Sequence, residues 1–215
     1  MKKALLFLGT TITLIIAILV INAMTLTSQQ ISSNSIEPIS LPNDIFEHLS
    51  KSIQYATISL NEDAIPDSTA FLGLHQFIKD VFPMVHKKLS LEKINDYSLL
   101  YTWKGSDSSV KPIILMSHQD VVPIDQPTLN DWEAHPFEGK ITNDYVLGRG
   151  TLDDKGSLIG LLEAVEKLLE ESFEPKRTIY LAFGHDEEIG GESGAAAIVS
   201  HLKEKGIHAA MTLDE

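Results

Sequence analysis

The first feature of the chain is an apolar run close to its N-terminus. From Ala4 to Met24 no charged side chain occurs. At a rise of about 1.5 Å per residue, a helix over this run spans about 30 Å, the thickness of the hydrocarbon core of a bilayer. Lys2 and Lys3 precede the run, and no Lys or Arg follows it until Lys51. This distribution of positive charge favours a cytoplasmic N-terminus and an exported remainder.

The first 42 residues are therefore expected to be a membrane anchor (1–26) and a linker (27–42), ahead of a folded region at 43–215. The linker is polar, Ser-rich and without periodicity. A cleaved signal peptide is the alternative to the anchor, but its apolar region is normally shorter, and Ile21 is not the small residue that a cleavage site requires. We expect a single-pass membrane protein whose folded part is periplasmic, lumenal or extracellular.

Beyond residue 43 the apolar positions become periodic. They recur at helical spacing over 70–82, where Asp67 or Ser68 is the candidate N-cap. Two stretches of alternating apolar and polar residues follow, at 88–94 and 97–103. Alternation of this kind predicts a pair of antiparallel strands.

Three short apolar runs, separated by two amphipathic segments, follow this pair. The runs predict buried strands at 112–116, 178–183 and 209–213. The segments between them, 157–172 and about 194–205, predict helices with one apolar face. Alternating strands and helices are typical of an α/β domain with a mostly parallel sheet flanked by helices.

Composition restricts the kind of site that this domain can carry. The chain has 30 acidic and 17 basic residues, for a net charge of −13. It shows no Lys/Arg cluster that would neutralise phosphates, so we do not expect a nucleic-acid partner. It has no cysteine, so any metal must be held by His, Asp and Glu.

Side chains that bind metals follow each of the three predicted strands. His118 and Asp120 come after the first, Glu187 and Glu188 after the second, and Asp214 after the third. In open α/β sheets, sites form beyond the carboxyl ends of the strands. We therefore expect these side chains to lie at the same edge of the sheet.

A loop at 148–156, which contains Asp153 and Asp154, is a fourth candidate segment. Each segment alone has an ordinary explanation: His118 as a structural histidine, the two aspartates as N-capping groups of the next helix, and the glutamate pair as solvated charges. The presence of all four at one edge of the sheet favours a metal site.

These segments resemble the signature motifs of the dinuclear zinc peptidases, the family of aminoacylase-1, carboxypeptidase S and the secreted N-acyl-amino-acid synthase/hydrolase. The similarity extends from about residue 43 to the end, and the apolar N-terminal run is similar to the carboxypeptidase S branch. The motifs are HQDVVP (118–123), WEAHPF (132–137), GRGTLDDKG (148–156) and GHDEEIGG (184–191).

The resemblance implies a site for two zinc ions, with Co²⁺ or Mn²⁺ as alternatives because a His/carboxylate set accepts several divalent ions. His118 would bind one ion and Glu188 the other. Asp153 would bridge them, because each carboxylate oxygen can bind a different ion at a separation of about 3.5–4 Å. Asp214 would complete the set at the His118 ion, with Glu215 as the alternative.

Two further roles follow from the same resemblance. Glu187 would be the general base that takes a proton from water and passes it to the leaving amine. Asp120 would accept the second imidazole N–H of His118 and fix its tautomer. The alternative for the glutamate pair is that both are ligands and neither is a base.

The resemblance covers only the N-terminal part of the family's catalytic domain. The family also calls for a downstream His ligand, which His185, His201 and His208 do not match, and for a lid or dimerisation domain. The first hypothesis is a hydrolase that cleaves an amide bond next to a free carboxylate in a peptide or N-acyl amino acid, as a homodimer if the lid is present. The second is a truncated, inactive, membrane-tethered remnant that acts at most as a metal-binding or interaction module.

Overall fold

The structure is a computed structural model that describes residues 2–27, 44–61, 64, 66–143 and 145–214. The chain divides into two compact units, Met1–Ser40 and Leu41–Glu215. The linker expected at 27–42 lies, except for Thr27, outside the described residues. The division into anchor, linker and catalytic part therefore stays a prediction.

The described part of the first unit is one helix, α1 (Lys2–Thr25). It is long and apolar enough to cross a membrane, although a signal sequence meets the same criterion. Its threonine hydroxyls donate to carbonyls one turn earlier, as from Thr11 to Phe7 and from Thr13 to Gly9. These polar groups are therefore satisfied within the helix, as an apolar surrounding requires.

The second unit contains helices, a main sheet and a short hairpin. The helices are α2 (Asp44–Ile53), α3 (Ser68–Val81), α4 (Pro83–Lys88), α5 (Lys155–Glu170) and α6 (Ala195–Glu204). The strands are β1 (Ser90–Ile94), β2 (Ser98–Trp103), β3 (Ile113–His118), β4 (Lys140–Ile141), β5 (Val146–Leu147), β6 (Ile179–Gly184) and β7 (Met211–Leu213). Two 3₁₀ turns occupy Gln126–Asp131 and Glu187–Ile189.

The main sheet has the strand order β1-β2-β6-β3-β7. Strands β6, β3 and β7 are parallel, whereas β1 and β2 pair antiparallel and β2 lies antiparallel to β6. The α/β class and the flanking helices are confirmed. The predicted antiparallel pair, β1 and β2, is part of the main sheet, because β2 also pairs with β6. The sheet is therefore mixed.

The sheet is covered on both faces, because successive side chains of a strand point to opposite sides. Leu99 and Tyr101 of β2 pack with α3, α4 and α5 in the larger core cluster. Leu100, between them, packs with Ile198 and Leu202 of α6 in the smaller one. The helix–sheet–helix layering leaves the carboxyl ends of β3 and β6 free to carry functional loops.

The segment from 83 to 89 differs from the prediction. Lys88 was expected in a strand, but it ends α4, and β1 begins at Ser90. Pro83 is the first residue of α4, where its missing N–H costs nothing. The carboxylate of Glu166 on α5 accepts the N–H groups of Met84 and Val85 at 2.8 Å each. This contact caps α4, a helix that the local sequence does not predict.

Replacing Glu166 by Ala is expected to lower the free energy of unfolding by about 2–3 kcal/mol, because two N–H groups at the start of α4 lose their acceptor. Urea unfolding followed by tryptophan fluorescence measures the change. Glu170→Ala, on the exposed side of the same helix, is the control and should change stability by less than about 0.5 kcal/mol. Equal effects of the two substitutions would contradict the capping role.

A buried hydrogen-bond chain joins α3 to the end of β3. His75 Nε2 lies 2.7 Å from Gln119 Oε1, and Gln119 Nε2 donates to the carbonyls of Tyr97 and Phe183 at 2.9 Å each. Burial, assisted by the positive charge of Lys93, lowers the pKa of His75 from 6.5 to about 4. The folded protein therefore holds this imidazole neutral at a pH where the unfolded chain protonates it.

The stability of the protein is expected to fall as the pH drops from 6.5 to about 4, since only the unfolded state binds a proton at His75 in this window. One pKa unit corresponds to about 1.4 kcal/mol, so the loss amounts to as much as about 3 kcal/mol. His75→Gln should flatten the dependence in urea unfolding at several pH values. The exposed variant His208→Gln should keep the wild-type slope, and a wild-type slope in His75→Gln would refute the assignment.

Candidate metal centre

The register of the sheet brings two predicted motifs together. His118 is the last residue of β3 and is the partner of Gly184, the last residue of β6. The strands are parallel, so the loops that begin at Gln119 and His185 leave the same edge side by side. The expected meeting of these two segments is thus a direct consequence of strand pairing.

Three of the predicted ligands form a cluster at this edge. Ligand atoms of His118, Asp153 and Glu188 all lie within 4.8 Å of one another. The distance from His118 Nε2 to Asp153 Oδ1 is 2.9 Å. His118 is buried and Asp153 is exposed, so the cluster has a protein side and an open side.

The chemistry of this donor set fits divalent metal ions. It combines an imidazole nitrogen with two carboxylates, the ligands that zinc takes when thiolates are absent. Burial and the nearby charge of Asp153 raise the pKa of Glu188, because both disfavour its ionised form. A bound cation would offset this repulsion.

Asp120 is fully buried beneath the cluster. Its Oδ1 accepts the N–H of Glu187 at 3.1 Å, and its Oδ2 accepts the N–H of Glu188 at 3.2 Å. His118 Nδ1 lies 3.3 Å from Oδ1 and 3.0 Å from the Asp120 carbonyl oxygen. Burial by itself would raise the pKa of Asp120, but hydrogen bonds from His118, Ser59 and the Glu188 amide outweigh it and lower that pKa.

The two adjacent glutamates have different surroundings. Glu188 is partly buried, and its Oε1 accepts the N–H of Val122 at 3.3 Å. The side chain of Glu187 is 51% exposed, with Oε2 3.8 Å from His118 Nε2. Glu187 and His118 line a cleft of about 270 Å³ together with Asp214. Glu188 thus belongs to the cluster, whereas the side chain of Glu187 is exposed in the cleft.

Asp214 lies in the cleft but not in the cluster. Leu213 pairs with Leu115, so Asp214 follows at the level of Met116, two residues before His118. Two residues of a strand span about 7 Å, which accounts for the separation. The alternative ligand, Glu215, lies outside the described residues.

Sequence reasoning missed Lys155, which anchors the loop that carries Asp153. Its side chain is fully buried, and Nζ donates to the carbonyls of Ser52 at 3.2 Å and Tyr55 at 2.6 Å. Burial lowers the pKa of this ammonium to about 7. Its place in the motif GRGTLDDKG was the available signal, but a lysine is expected at the surface unless a structure shows otherwise.

Ser59 was also missed, because an isolated serine outside any motif carries no signal. Its hydroxyl lies 3.3 Å from the carbonyl oxygen of His185 and also within hydrogen-bonding reach of the Asp120 carboxylate, so its one proton can be donated to either acceptor. The neighbouring Ile58 forms a parallel bridge with Val121. The segment before α3 therefore braces both loops of the centre.

Two of the histidines that do not match the family's downstream ligand have contacts elsewhere. His185 Nδ1 lies 2.6 Å from Ser98 Oγ, and His201 Nε2 lies 3.0 Å from Glu92 Oε2. Neither belongs to the ligand cluster found among the described residues.

Known proteins are similar to this chain in sequence and in fold. Residues 114–214 match the Peptidase family M20/M25/M40. Probable carboxypeptidase S-like 2 of Dictyostelium discoideum is 46% identical over 190 residues, which are 84% of this chain and 36% of that protein. N-fatty-acyl-amino acid synthase/hydrolase of Xenopus tropicalis is 39% identical over 173 residues, which are 80% of this chain and 33% of that protein.

The likeness to a solved structure concerns the fold alone. An M20 family metallo-carboxypeptidase from Sulfolobus solfataricus matches with a TM-score of 0.62 at 21% identity, over 81% of this chain and 37% of that one. The present chain spans about a third of the length of the two curated relatives. The relationship expected from the motifs is confirmed: the chain belongs to peptidase family M20/M25/M40, on the branch of the carboxypeptidase S-like proteins.

Proposed function

We propose that the protein hydrolyses an amide bond next to a free carboxylate, in a peptide or an N-acyl amino acid, with two divalent metal ions. The observation that carries this proposal is the convergence of His118, Asp153 and Glu188 within 4.8 Å, beside the exposed carboxylate of Glu187. The similarity to a probable carboxypeptidase and to an N-fatty-acyl-amino acid synthase/hydrolase supports the same substrate class.

The metal set would be held as the motifs imply. His118 and Glu188 would each bind one zinc ion, Asp153 would bridge them, and Asp214 would complete the His118 site. When bound, the ions supply Lewis acidity, which polarises the substrate carbonyl and brings the pKa of water toward neutrality. Zinc is the first choice, with cobalt and manganese as alternatives.

The chain's own residues would move the protons. Glu187 faces the cleft, so its carboxylate can accept a proton from the attacking water. It would then donate that proton to the amide nitrogen as the C–N bond breaks, which releases a free amine and a carboxylic acid. Asp120 would keep Nδ1 of His118 protonated, so that Nε2 is the nitrogen offered to the metal.

The helix α1 would hold this domain at a membrane. Its length and apolar character support a spanning segment, and Lys2 and Lys3 support a cytoplasmic N-terminus. The catalytic part would then act on substrates outside the cytoplasm. A homodimer would require a lid domain, for which the family resemblance is the support.

The native protein, purified without chelators, is expected to contain two divalent ions per chain by plasma mass spectrometry. Asp120→Asn should weaken metal binding about 10- to 100-fold, because His118 loses the group that orients it. Asp131→Asn, an exposed change, should leave metal content unaltered. Circular dichroism checks that Asp120→Asn is folded. A folded Asp120→Asn protein with wild-type affinity would disprove the orienting role.

Glu187→Gln is expected to lower kcat about 10²- to 10⁴-fold while metal content stays at the wild-type level, because Gln cannot accept the proton. Hydrolysis of N-acyl amino acids and of short peptides measures the effect. Glu204→Gln, exposed on α6, is the matched control and should keep full activity. Unchanged turnover in Glu187→Gln would remove this residue as the base. Bound metal without turnover in the wild type would favour the inactive remnant.

A further inference from the structure

A groove of about 410 Å³ lies between α3 and the two outer strands of the main sheet. Strands β1 and β2 contribute one face, on which Lys93 pairs with Leu99. Helix α3 contributes His75 and Lys79, which are four residues apart and therefore on the same side of the helix. None of the lining residues belongs to the metal cluster or to the cleft beside it, so the groove is a separate site.

The groove carries positive charge without a counter-charge. Within the described part of the chain its lining includes Lys79 and Lys93 but no Asp or Glu. Neither ammonium group has a carboxylate partner among the described residues. Acidic residues outnumber basic ones by 30 to 17 in the whole chain, so two unneutralised lysines in one groove run against the overall charge. A groove of this kind attracts anions.

The carboxylates nearest in sequence bind elsewhere. Glu92 points to the opposite face of the sheet from Lys93, because neighbouring side chains of a strand alternate. Both oxygens of Glu92 accept hydrogen bonds from Lys205, at 2.7 Å and 2.6 Å. Asp80 accepts the amide N–H of Gln76 at 2.8 Å and does not line the groove. The missing counter-charge is therefore built into the strand register and the helix spacing.

The ammonium group of Lys93 is held by a neutral partner. The amide nitrogen of Gln119 donates to backbone carbonyls, so its oxygen is the atom that faces His75 Nε2 at 2.7 Å, and Nε2 carries the proton. Nδ1 of His75 is then a lone-pair acceptor, 3.4 Å from Lys93 Nζ. Burial, followed by the charge of Lys93, lowers the pKa of His75 to about 4. The imidazole thus positions the lysine without neutralising it.

Apolar side chains form much of the remaining surface. Leu72, Leu91 and Leu99 line the groove, and Leu72 is 48% exposed. The hydroxyl of Tyr101 is already hydrogen-bonded to Nε2 of His86, at 3.1 Å. A ligand that matches both kinds of surface has an anionic head and an apolar tail. The volume of the groove is within the range of small-molecule sites.

We propose that this groove binds an organic anion, a carboxylate with a short aliphatic tail. Lys79 and Lys93 hold the anionic head, and the leucines contact the tail. Two positive charges favour an anion over a neutral amphiphile, and the apolar surface favours a tailed anion over a small one. The binding does not depend on the proposed hydrolysis, because the groove shares no residue with the metal centre.

Octane-1-sulfonate is the probe, titrated calorimetrically at low salt into the metal-loaded native protein in a nonionic detergent. A sulfonate stays ionised and is a poor metal ligand, so it tests the groove rather than the metal centre. Lys79→Gln and Lys93→Gln should each weaken its Kd about two- to fivefold, the effect of one solvent-screened charge. The double variant should weaken it about four- to 25-fold. Lys203→Gln, exposed on α6 and not part of the lining, should leave the Kd unchanged.

Two further probes separate the head from the tail. Methanesulfonate, which has the same head without the tail, should bind at least about 30-fold more weakly than octane-1-sulfonate, because no methylene groups are buried. Octyltrimethylammonium, which has the same tail and the opposite charge, should bind the double variant no more weakly than the wild type. Equal affinity of the wild type and the double variant for octane-1-sulfonate would overturn the proposal, as would the absence of binding at millimolar concentration. Equal affinity for the two sulfonates would overturn the role of the leucines.

Discussion

The metal centre depends on one buried carboxylate that ties two strand ends together. Asp120 leaves β3 and accepts the amide N–H groups of Glu187 and Glu188 beyond β6, at 3.1 Å and 3.2 Å. The same carboxylate lies 3.3 Å from Nδ1 of His118. Because Asp120 has no solvent exposure, these donors replace water entirely, and losing any of them leaves a buried charge under-satisfied. Two loops from different strands thereby become one rigid unit.

Two carboxylates of the site lie close enough to repel each other. Asp153 and Glu188 share a cluster, and burial together with the nearby charge of Asp153 raises the pKa of Glu188. The loop that carries Asp153 is held in place despite this repulsion, because Lys155 Nζ donates to the carbonyls of Ser52 and Tyr55. A bound metal ion would offset the repulsion between the two carboxylates. Its affinity would therefore be coupled to the stability of the loop that carries Asp153.

Local sequence patterns predict helices and strands. The features that they do not predict depend on contacts between residues far apart in the chain. The apolar runs at β3 and β6 and the helical period of α5 identify those elements, and the strand-end rule places His118 beside the glutamates. Helix α4 escaped prediction because its cap, Glu166, lies on α5, far along the chain. The separation of Asp214 from the cluster follows from the pairing of Leu213 with Leu115. Periodicity cannot supply a register of this kind, because it is set between strands rather than within one.

The turn after β6 divides its side chains between two spaces. His185 and Asp186 line a cavity of about 740 Å³, while Glu187 and His118 line the cleft of the metal centre. The backbone N–H of Glu187 donates to Asp120, and the hydroxyl of Ser59 lies 3.3 Å from the carbonyl oxygen of His185. The orientation of Glu187 therefore depends on contacts made on both sides of this turn, by Asp120 on one side and by Ser59 on the other.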